Sequence, residues 1–404
     1  MSGDAHAPEP LRVVVQQPAL THYRVPVFAA LASRPGIDLR VEYARWPGVP
    51  NVEPEGFDAK FVPHRMTRVL GQELVWHSSQ WRNASRVRAD VLVVSWNSRY
   101  LSLLPTLLRA RCVGVPVVAW GHGYSKSESR LRFAARLLHA RLATCLLFYS
   151  RSVAGRYLER GFPPDRIFVA PNAVDQAPIR AAADAVRADP DQQRRFLAER
   201  GLDQGPVILF VSRLEHANRV DLLLRAAARL APTRPGLRVV IVGGGPEEHR
   251  LREQARELGV ADRVLFTGPV YEEHALARYF LAATVFAYPS NIGLSLLHAF
   301  GYGVPVITSE NHERHGPEIE ALRPGENGLF YREGDPDALA DAIERIIDNP
   351  DLRQRLSRGA LRTVHEEYSL DAMVDGFVAA VFRAAGREPP AAQARTSLSP
   401  ISAA

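Results

Sequence analysis

A chain of 404 residues is longer than one hydrophobic core usually serves, and 46% hydrophobic with 23% charged residues is a globular composition, so two domains of ordinary size are expected. Two cysteines without CxxC spacing, Cys112 and Cys145, exclude a disulfide framework and a zinc motif, and no run approaches the roughly 18 apolar residues of a membrane-spanning helix. The net charge of +6 conceals an asymmetry: residues 1–175 hold 23 Lys and Arg against 13 Asp and Glu, the remainder 27 against 31, giving +10 and −4. A basic first half suits an anionic lipid surface or a phosphorylated acceptor. Nucleic acid is not an expected partner, because no recognised module or aromatic-interleaved basic strip accompanies the charge. The acidic, proline-containing start does not read as a signal peptide, so the expected location is cytoplasmic, at the inner face of the cell membrane where lipid contact is made.

In chain order, residues 1–10 carry no apolar run and are expected to be disordered. Strands follow at LRVVVQQ from Leu11, IDLRVEYA from Ile37, DVLVVSW from Asp90, VPVVAWG from Val115 and CLLFYS from Cys145, with helix-period segments between several of them. This alternation predicts a parallel sheet covered on both faces, in a first domain over 11–175. The loop QQPALTHYR after the first strand offers Thr21, His22, Tyr23 and Arg24 to an acceptor or a phosphate. His122, between two glycines after the fourth strand, is placed to face a reacting group. The polar stretch 176–205 reads as a linker. Strands resume at PVILFVSR, LRVVIVGGG, RVLFTG, TVFAYPS, VPVITS and ENGLFY, a second α/β domain over 206–370. A helix over 371–386 is expected to cross back to the first domain, and the Pro-, Ala- and Ser-rich tail 387–404 to be disordered.

Three segments of the second domain carry candidate chemistry. In VIVGGGPEEHRL, Gly244, Gly245 and Pro246 lie between a strand and a helix, where backbone amides can approach a ligand and the helix N-terminus favours anions; Glu248 stands where a dinucleotide fingerprint needs glycine. In VSRLEHANRVDLLLRA, Arg213 at a strand end and Arg219 at a helix start suit the oxygens of a diphosphate. In YPSNIGLSLLHAFGYGVPVITS, Ser290 or Asn291 would cap a helix whose first amides, at Gly293, Leu294 and Ser295, point at phosphate oxygens, and His298 lies one turn further along.

In this order, VSRL, VGGGP, RVLFTG, YPS with GLSLLHAFGYGVPVI, and GENGLFY resemble the C-terminal domain of the retaining GT-B glycosyltransferases of family four, over about residues 205–370. The resemblance implies two Rossmann-like domains facing across a cleft, and transfer of a sugar from a nucleoside-diphosphate sugar to a saccharide or lipid-linked acceptor with retention at the anomeric carbon. It implies no cofactor or metal beyond the donor itself. His122, Arg213 and Arg219 are then the expected catalytic residues. Tyr23 and Arg24 are expected on the acceptor side, and Gly244, Gly245, Pro246, Ser290, Asn291, Gly293, Leu294, Ser295 and His298 on the donor. The chain departs from the family at three places: the usual glutamate pair is replaced by Ser290 and His298, and the usual diphosphate lysine by Asn218. The same residues leave two other readings open, an epimerase or hydrolase of the same fold and a non-catalytic sugar-nucleotide-binding protein.

Overall fold

The structure is a computed structural model that describes residues 9–69, 72–124 and 129–390. Most of both segments expected to be disordered, residues 1–8 and 391–404, lies outside the described residues, as does 125–128 of the segment after His122. The chain forms two compact units, 1–171 with 370–404, and 172–369.

Unit 1 is built, in order, from β1 (Leu11–Gln17), α1 (Val25–Ala32), β2 (Ile37–Tyr43), β3 (Asp58–Phe61), β4 (Arg65–Val69), β5 (Gln72–Trp76), α2 (Ser78–Asn83), β6 (Val91–Ser95), α3 (Leu103–Val113), β7 (Val117–Gly121), α4 (Arg130–Leu142), β8 (Cys145–Phe148), α5 (Arg151–Leu158) and β9 (Ile167–Val169). Seven strands form one sheet in the order β3-β2-β1-β6-β7-β8-β9, parallel at every pairing, while β4 and β5 make a separate antiparallel pair. The near-continuous valine and leucine runs of β1, β6 and β8 are what a strand buried on both faces requires. Four strands escape the sequence pattern: β3, DAKF, is a charged edge, β9 is three residues long, and β4 and β5 form the separate pair.

Unit 2 contains α6 (Gln176–Ala188), α7 (Pro190–Ala198), β10 (Val207–Val211), α8 (Val220–Leu230), β11 (Arg238–Val242), α9 (Glu248–Glu257), β12 (Val264–Gly268), α10 (Glu273–Ala282), β13 (Val285–Ala287), α11 (Ser295–Gly301), β14 (Val306–Ser309), β15 (Gly328–Tyr331), α12 (Pro336–Ile347) and α13 (Pro350–Glu366). Its sheet is parallel throughout, in the order β12-β11-β10-β13-β14-β15. The chain runs outward from β10 to β12 and then returns to the other side of β10, so the order reverses between β10 and β13. At such a switch point the loops leaving the strand carboxyl ends part and leave a crevice for a ligand.

The stretch read as a linker is instead ordered helix within unit 2. Ile179, Ala182, Ala183 and Val186 recur at helical spacing and bury one face of α6, and Asp175 and Asp189 cap α6 and α7 by accepting from the amides of Ala177 and Gln192 at 2.9 Å each. The polar residues that suggested a linker are the solvated faces of these helices. The last helix, α14 (Leu370–Ala385), packs within unit 1 on α1, β8 and β9 through buried Met373, Phe377 and Val381.

Candidate functional site

At the switch point of unit 2 the loop after β10 meets the loop after β13. Tyr288 donates to Ser212 Oγ at 3.0 Å, and the Asn291 amide donates to Asn218 Oδ1 at 3.0 Å. Asn218 in turn donates to the carbonyl of Arg213 at 2.7 Å. Asn218 is therefore a buried bridge: its amide group accepts from one loop and donates to the backbone of the other, and so sets where Arg213 departs from the sheet. The Arg213 side chain is 72% exposed and, among the described residues, its one ion pair is to Glu215 at 3.1 Å.

The loop after β13 is pinned from the opposite side. Tyr331 on β15 donates to the carbonyl of Pro289 at 2.9 Å, and the amide of Ile292 donates to Nδ1 of buried His315 at 3.1 Å. Because a backbone N–H can only donate, that nitrogen carries the lone pair, and the ring proton sits on Nε2, which faces the Ser309 carbonyl at 3.0 Å. Glu318 is also buried here: it accepts from Asn172 at 2.6 Å, and its Oε2 lies 3.7 Å from where a Cβ on Gly293 would be. Neither His315 nor Glu318 belongs to any pattern visible in the sequence; only the register of β14 and β15 beside β13 brings them in.

Several expected roles change. Neither Ser290 nor Asn291 caps α11, which starts at Ser295 with Leu294 preceding it and no side-chain cap. Ser290 is buried, and Asn291 takes a left-handed φ of 62°, a conformation that Asn tolerates better than most residues. Its side chain is thereby directed to Asn218. Among the described residues no backbone carbonyl accepts from the amides of Gly293, Leu294 and Ser295, the unpaired first amides that a turn before a helix leaves and that favour an anion.

Arg219 also takes a left-handed φ, 53°, and closes both arms of its fork on Asp221, at 2.9 and 3.0 Å. That hydrogen bond raises the arginine's pKa. Burial works against ionisation of Asp221, but the hydrogen bond and charge of Arg219 outweigh it and hold the carboxyl below its usual range. With both arms engaged and the side chain only 37% exposed, Arg219 has fewer donors open to an incoming diphosphate than Arg213, which is 72% exposed and meets Glu215 through one nitrogen.

The glycine turn after β11 is explained largely by packing. A Cβ on Gly245 would stand 2.6 Å from the carbonyl oxygen of Leu214 and 2.8 Å from its nitrogen, and Gly243, at φ 139°, faces the Ser212 carbonyl. Gly244 alone has room, with Pro269 Cδ the nearest atom at 3.5 Å. Pro246 is exposed. The helix that follows begins with Glu247 and Glu248, already paired with Arg250 and Arg252, so carboxylates occupy the position where this turn was expected to attract an anion. Gly245→Ala is expected to lower the melting temperature by several degrees and to weaken nucleotide binding through a displaced Leu214. Gly244→Ala is expected to keep wild-type stability. Melting curves with and without nucleotide check both, and equal stability losses in the two variants would contradict this account.

His298 points to α10. Its Nε2 lies 2.8 Å from Glu273 Oε1, which also accepts from Tyr302 at 2.5 Å, and Phe280 stacks on Tyr302 with centroids 4.6 Å apart. Burial opposes ionisation of Glu273, but the hydrogen bond and charge of His298 together with the Tyr302 hydroxyl outweigh it and hold the carboxyl below its usual value, while burial and the adjacent carboxylate push the Tyr302 phenol up. Both α10 and α11 begin at the carboxyl edge of the sheet, so an acid remains beside His298 that sequence spacing does not reveal.

In unit 1 the expected residues gather round Tyr149. Arg24 is buried, with its guanidinium carbon 4.7 Å from the ring centre of Trp120, 5.3 Å from Tyr149 and 5.2 Å from Tyr23. His122 is exposed, its ring 4.8 Å from that of Tyr149. Tyr23 and Thr21 are half-buried and His22 is exposed. Arg24 therefore supports this aromatic cluster from beneath, and Tyr23, His122 and Tyr149 form its outward side. A second polar group lies at the ends of β1, β5 and β6, where Gln80 donates to Gln16 Oε1 at 2.8 Å and Ser102 donates to Gln80 Oε1 at 2.7 Å. Burial pushes the adjacent His77 down to about 4.

Two doubly wound parallel sheets, one with an exposed arginine on a loop at its switch point, define a two-domain Rossmann-like protein. Two family descriptions match the chain: Glycosyltransferase Family 4 over residues 27–177, and Glycosyl transferases group 1 over 192–363. The D-inositol 3-phosphate glycosyltransferase of Acidothermus cellulolyticus is 41% identical over 214 residues, covering 50% of this chain and 44% of that protein. The GDP-mannose-dependent alpha-(1-6)-phosphatidylinositol monomannoside mannosyltransferase of Mycolicibacterium smegmatis is 30% identical over 304 residues and 72% of each chain. Among solved structures, Anabaena HepE in complex with UDP shares the fold at a TM-score of 0.67 and 15% identity, covering 91% of this chain and 98% of its own. The chain thus belongs to the family-four, group-one glycosyltransferases, with their GT-B fold. The alignment to the Acidothermus protein spans less than half of that relative's length.

Proposed function

We propose that the protein transfers a sugar from a nucleoside-diphosphate sugar to a hydroxyl of a saccharide or lipid-linked acceptor, with retention at the anomeric carbon. The observation that carries this reading is that exposed Arg213 and the first amides of the turn before α11 stand on two loops bridged through Asn218 and Asn291 at the switch point of unit 2. Positive charge and amide dipoles at that point stabilise the charge that grows on a departing nucleoside diphosphate. The bond from the anomeric carbon to the diphosphate breaks, the acceptor oxygen bonds to that carbon from the same face, and the hydroxyl proton passes to a phosphate oxygen. Tyr23 and His122 are proposed to meet the acceptor, with Arg24 holding their platform. The printed names of the relatives, an inositol phosphate and a phosphatidylinositol mannoside among them, support a phosphorylated or lipid-linked acceptor for this chain, met at the inner face of the membrane.

The glutamate pair usual in the family is replaced here by Ser290 and His298, and we propose that carboxylates from elsewhere in unit 2 do its work. Glu273 acts through His298, and Glu318 lies beside Gly293. Because the Glu273 carboxyl titrates below its ordinary value of 4.5, its stabilising contribution is complete above that pH and is lost as pH falls through the lower folded value. Glu273→Gln is therefore expected to unfold at lower urea than wild type at pH 7, with the gap closing below about pH 4.5. A gap independent of pH would remove the ionised carboxylate from this account.

The reading is tested by melting the protein with UDP-, GDP-, dTDP- and ADP-sugars, since a ligand at a hundredfold excess over its Kd stabilises the native state by about 2.7 kcal/mol. One donor series is expected to raise the melting temperature and then to label an acceptor. Donor breakdown without acceptor would identify a hydrolase or epimerase, and binding without any turnover across a broad panel a non-catalytic protein.

A further inference from the structure

Helices α3 and α4 of unit 1 pack side by side. Their sequences, LLPTLLRARCV and RLRFAARLLHARL, contain six arginines and no acid. On α4 the usual orientation is inverted. Arg136, His139 and Ala140 are buried, whereas Leu131 is 85% exposed and Leu138 44%, with Ala134 exposed between them. Leu131, Ala134, Leu138 and Arg141 recur at helical spacing, so the exposed residues form one apolar stripe that ends in a cation. On the α3 side Leu101, Leu108 and Val113 are exposed, Leu101 and Leu108 two turns apart.

At the C-terminal ends of these helices lies a cavity of about 350 Å³ lined by Arg111, Arg141, Arg166 and Arg383. Asp165 is the one carboxylate in its lining, and Arg383 already pairs with it. Among the described residues neither Arg111 nor Arg141 pairs with a carboxylate, and Arg166 is spent on backbone carbonyls at the end of α4. Apolar side chains that stand out beside Arg111 and Arg141 match a surface that offers diffuse negative charge above hydrocarbon.

We propose that the α3–α4 face docks this protein on an anionic lipid bilayer, with Leu131 and Leu138 entering the headgroup boundary and Arg130, Arg111 and Arg141 meeting lipid phosphates. Charge complementarity selects this occupant: a protein partner would have to supply both an acidic and an apolar strip in register, whereas an anionic bilayer presents both everywhere. The inference goes beyond the transfer reaction and does not depend on which donor or acceptor is used.

The test is co-sedimentation of the full-length protein with vesicles of phosphatidylcholine alone or mixed with phosphatidylglycerol. Wild type is expected to bind the mixed vesicles, to release as salt is raised, and to bind phosphatidylcholine alone at least tenfold more weakly. Leu131→Glu with Leu138→Glu, and separately Arg111→Glu with Arg141→Glu, are each expected to weaken binding at least tenfold with unchanged melting temperature. The charge reversal Arg194→Glu on α7 of unit 2 is expected to leave binding intact. Wild type that fails to bind mixed vesicles overturns the proposal, as does equal binding by the leucine variant. A leucine variant that turns a wild-type dimer into a monomer without loss of lipid binding would reassign the face to a second copy of this chain. Nucleotide-induced stabilisation, measured on the same samples, keeps a failure of lipid docking separate from a failure of the transferase reading.

Discussion

Arg213→Ala is expected to lower sugar transfer by about 10²–10³-fold, the range seen when one preorganised donor to developing charge is removed. The side chain is exposed and its one ion pair is to a neighbour two residues away, so the melting temperature should stay within the small scatter of surface substitutions. The loss should fall mainly on kcat, since the charge to be stabilised is greatest as the diphosphate departs. Steady-state kinetics on the best donor, with melting curves alongside, decide the matter. Wild-type kcat in this variant would take the arginine out of the mechanism.

Asn218→Lys, the substitution suggested by the resemblance noted from the sequence, is expected to damage the protein. Buried Asn218 both donates to the Arg213 carbonyl and accepts from the Asn291 amide; a lysine ammonium has three donors and no acceptor, so the bond from Asn291 that ties the two loops is lost. Removing one partner from a buried hydrogen-bonded pair costs about 1–3 kcal/mol, and placing an ammonium in the same space adds to it. The variant should therefore melt several degrees lower and bind the donor no more tightly. A variant as stable as wild type with improved donor affinity would show that the asparagine merely fills a place and that the lysine pattern transfers intact.

The fold was legible where a strand is buried on both faces, because such a strand must be written in β-branched and leucine residues. All six strands of the second sheet were readable on that basis. The first sheet hid β3 and β9, one charged and exposed at an edge, the other too short to show a period. The stretch Gln176 to Gln204 misled for a related reason: its polar composition was visible, but the four small apolar residues that seat α6 are too few to dominate a window of that length. Helix α4 is the converse case, since Leu131 and Leu138 face outward while Leu137 and Leu142 pack against the core, a division that composition does not reveal.

The sequence alone decided that there would be two parallel α/β sheets, which loops would follow which strands, and that an arginine and a turn-then-helix would stand after β10 and β13. These are local matters, set by hydrophobic period and turn chemistry. Tertiary structure alone decided what each residue at the site does, because hydrogen-bond partners there are separated by 73 positions for Asn218 and Asn291, 25 for Glu273 and His298, and 23 for Ile292 and His315. A side chain's identity is written in the chain, but whether His298 stands alone or beside a carboxylate, and whether Asn218 is a surface amide or a buried bridge, depends on which distant atoms the folded sheet brings within about 3 Å.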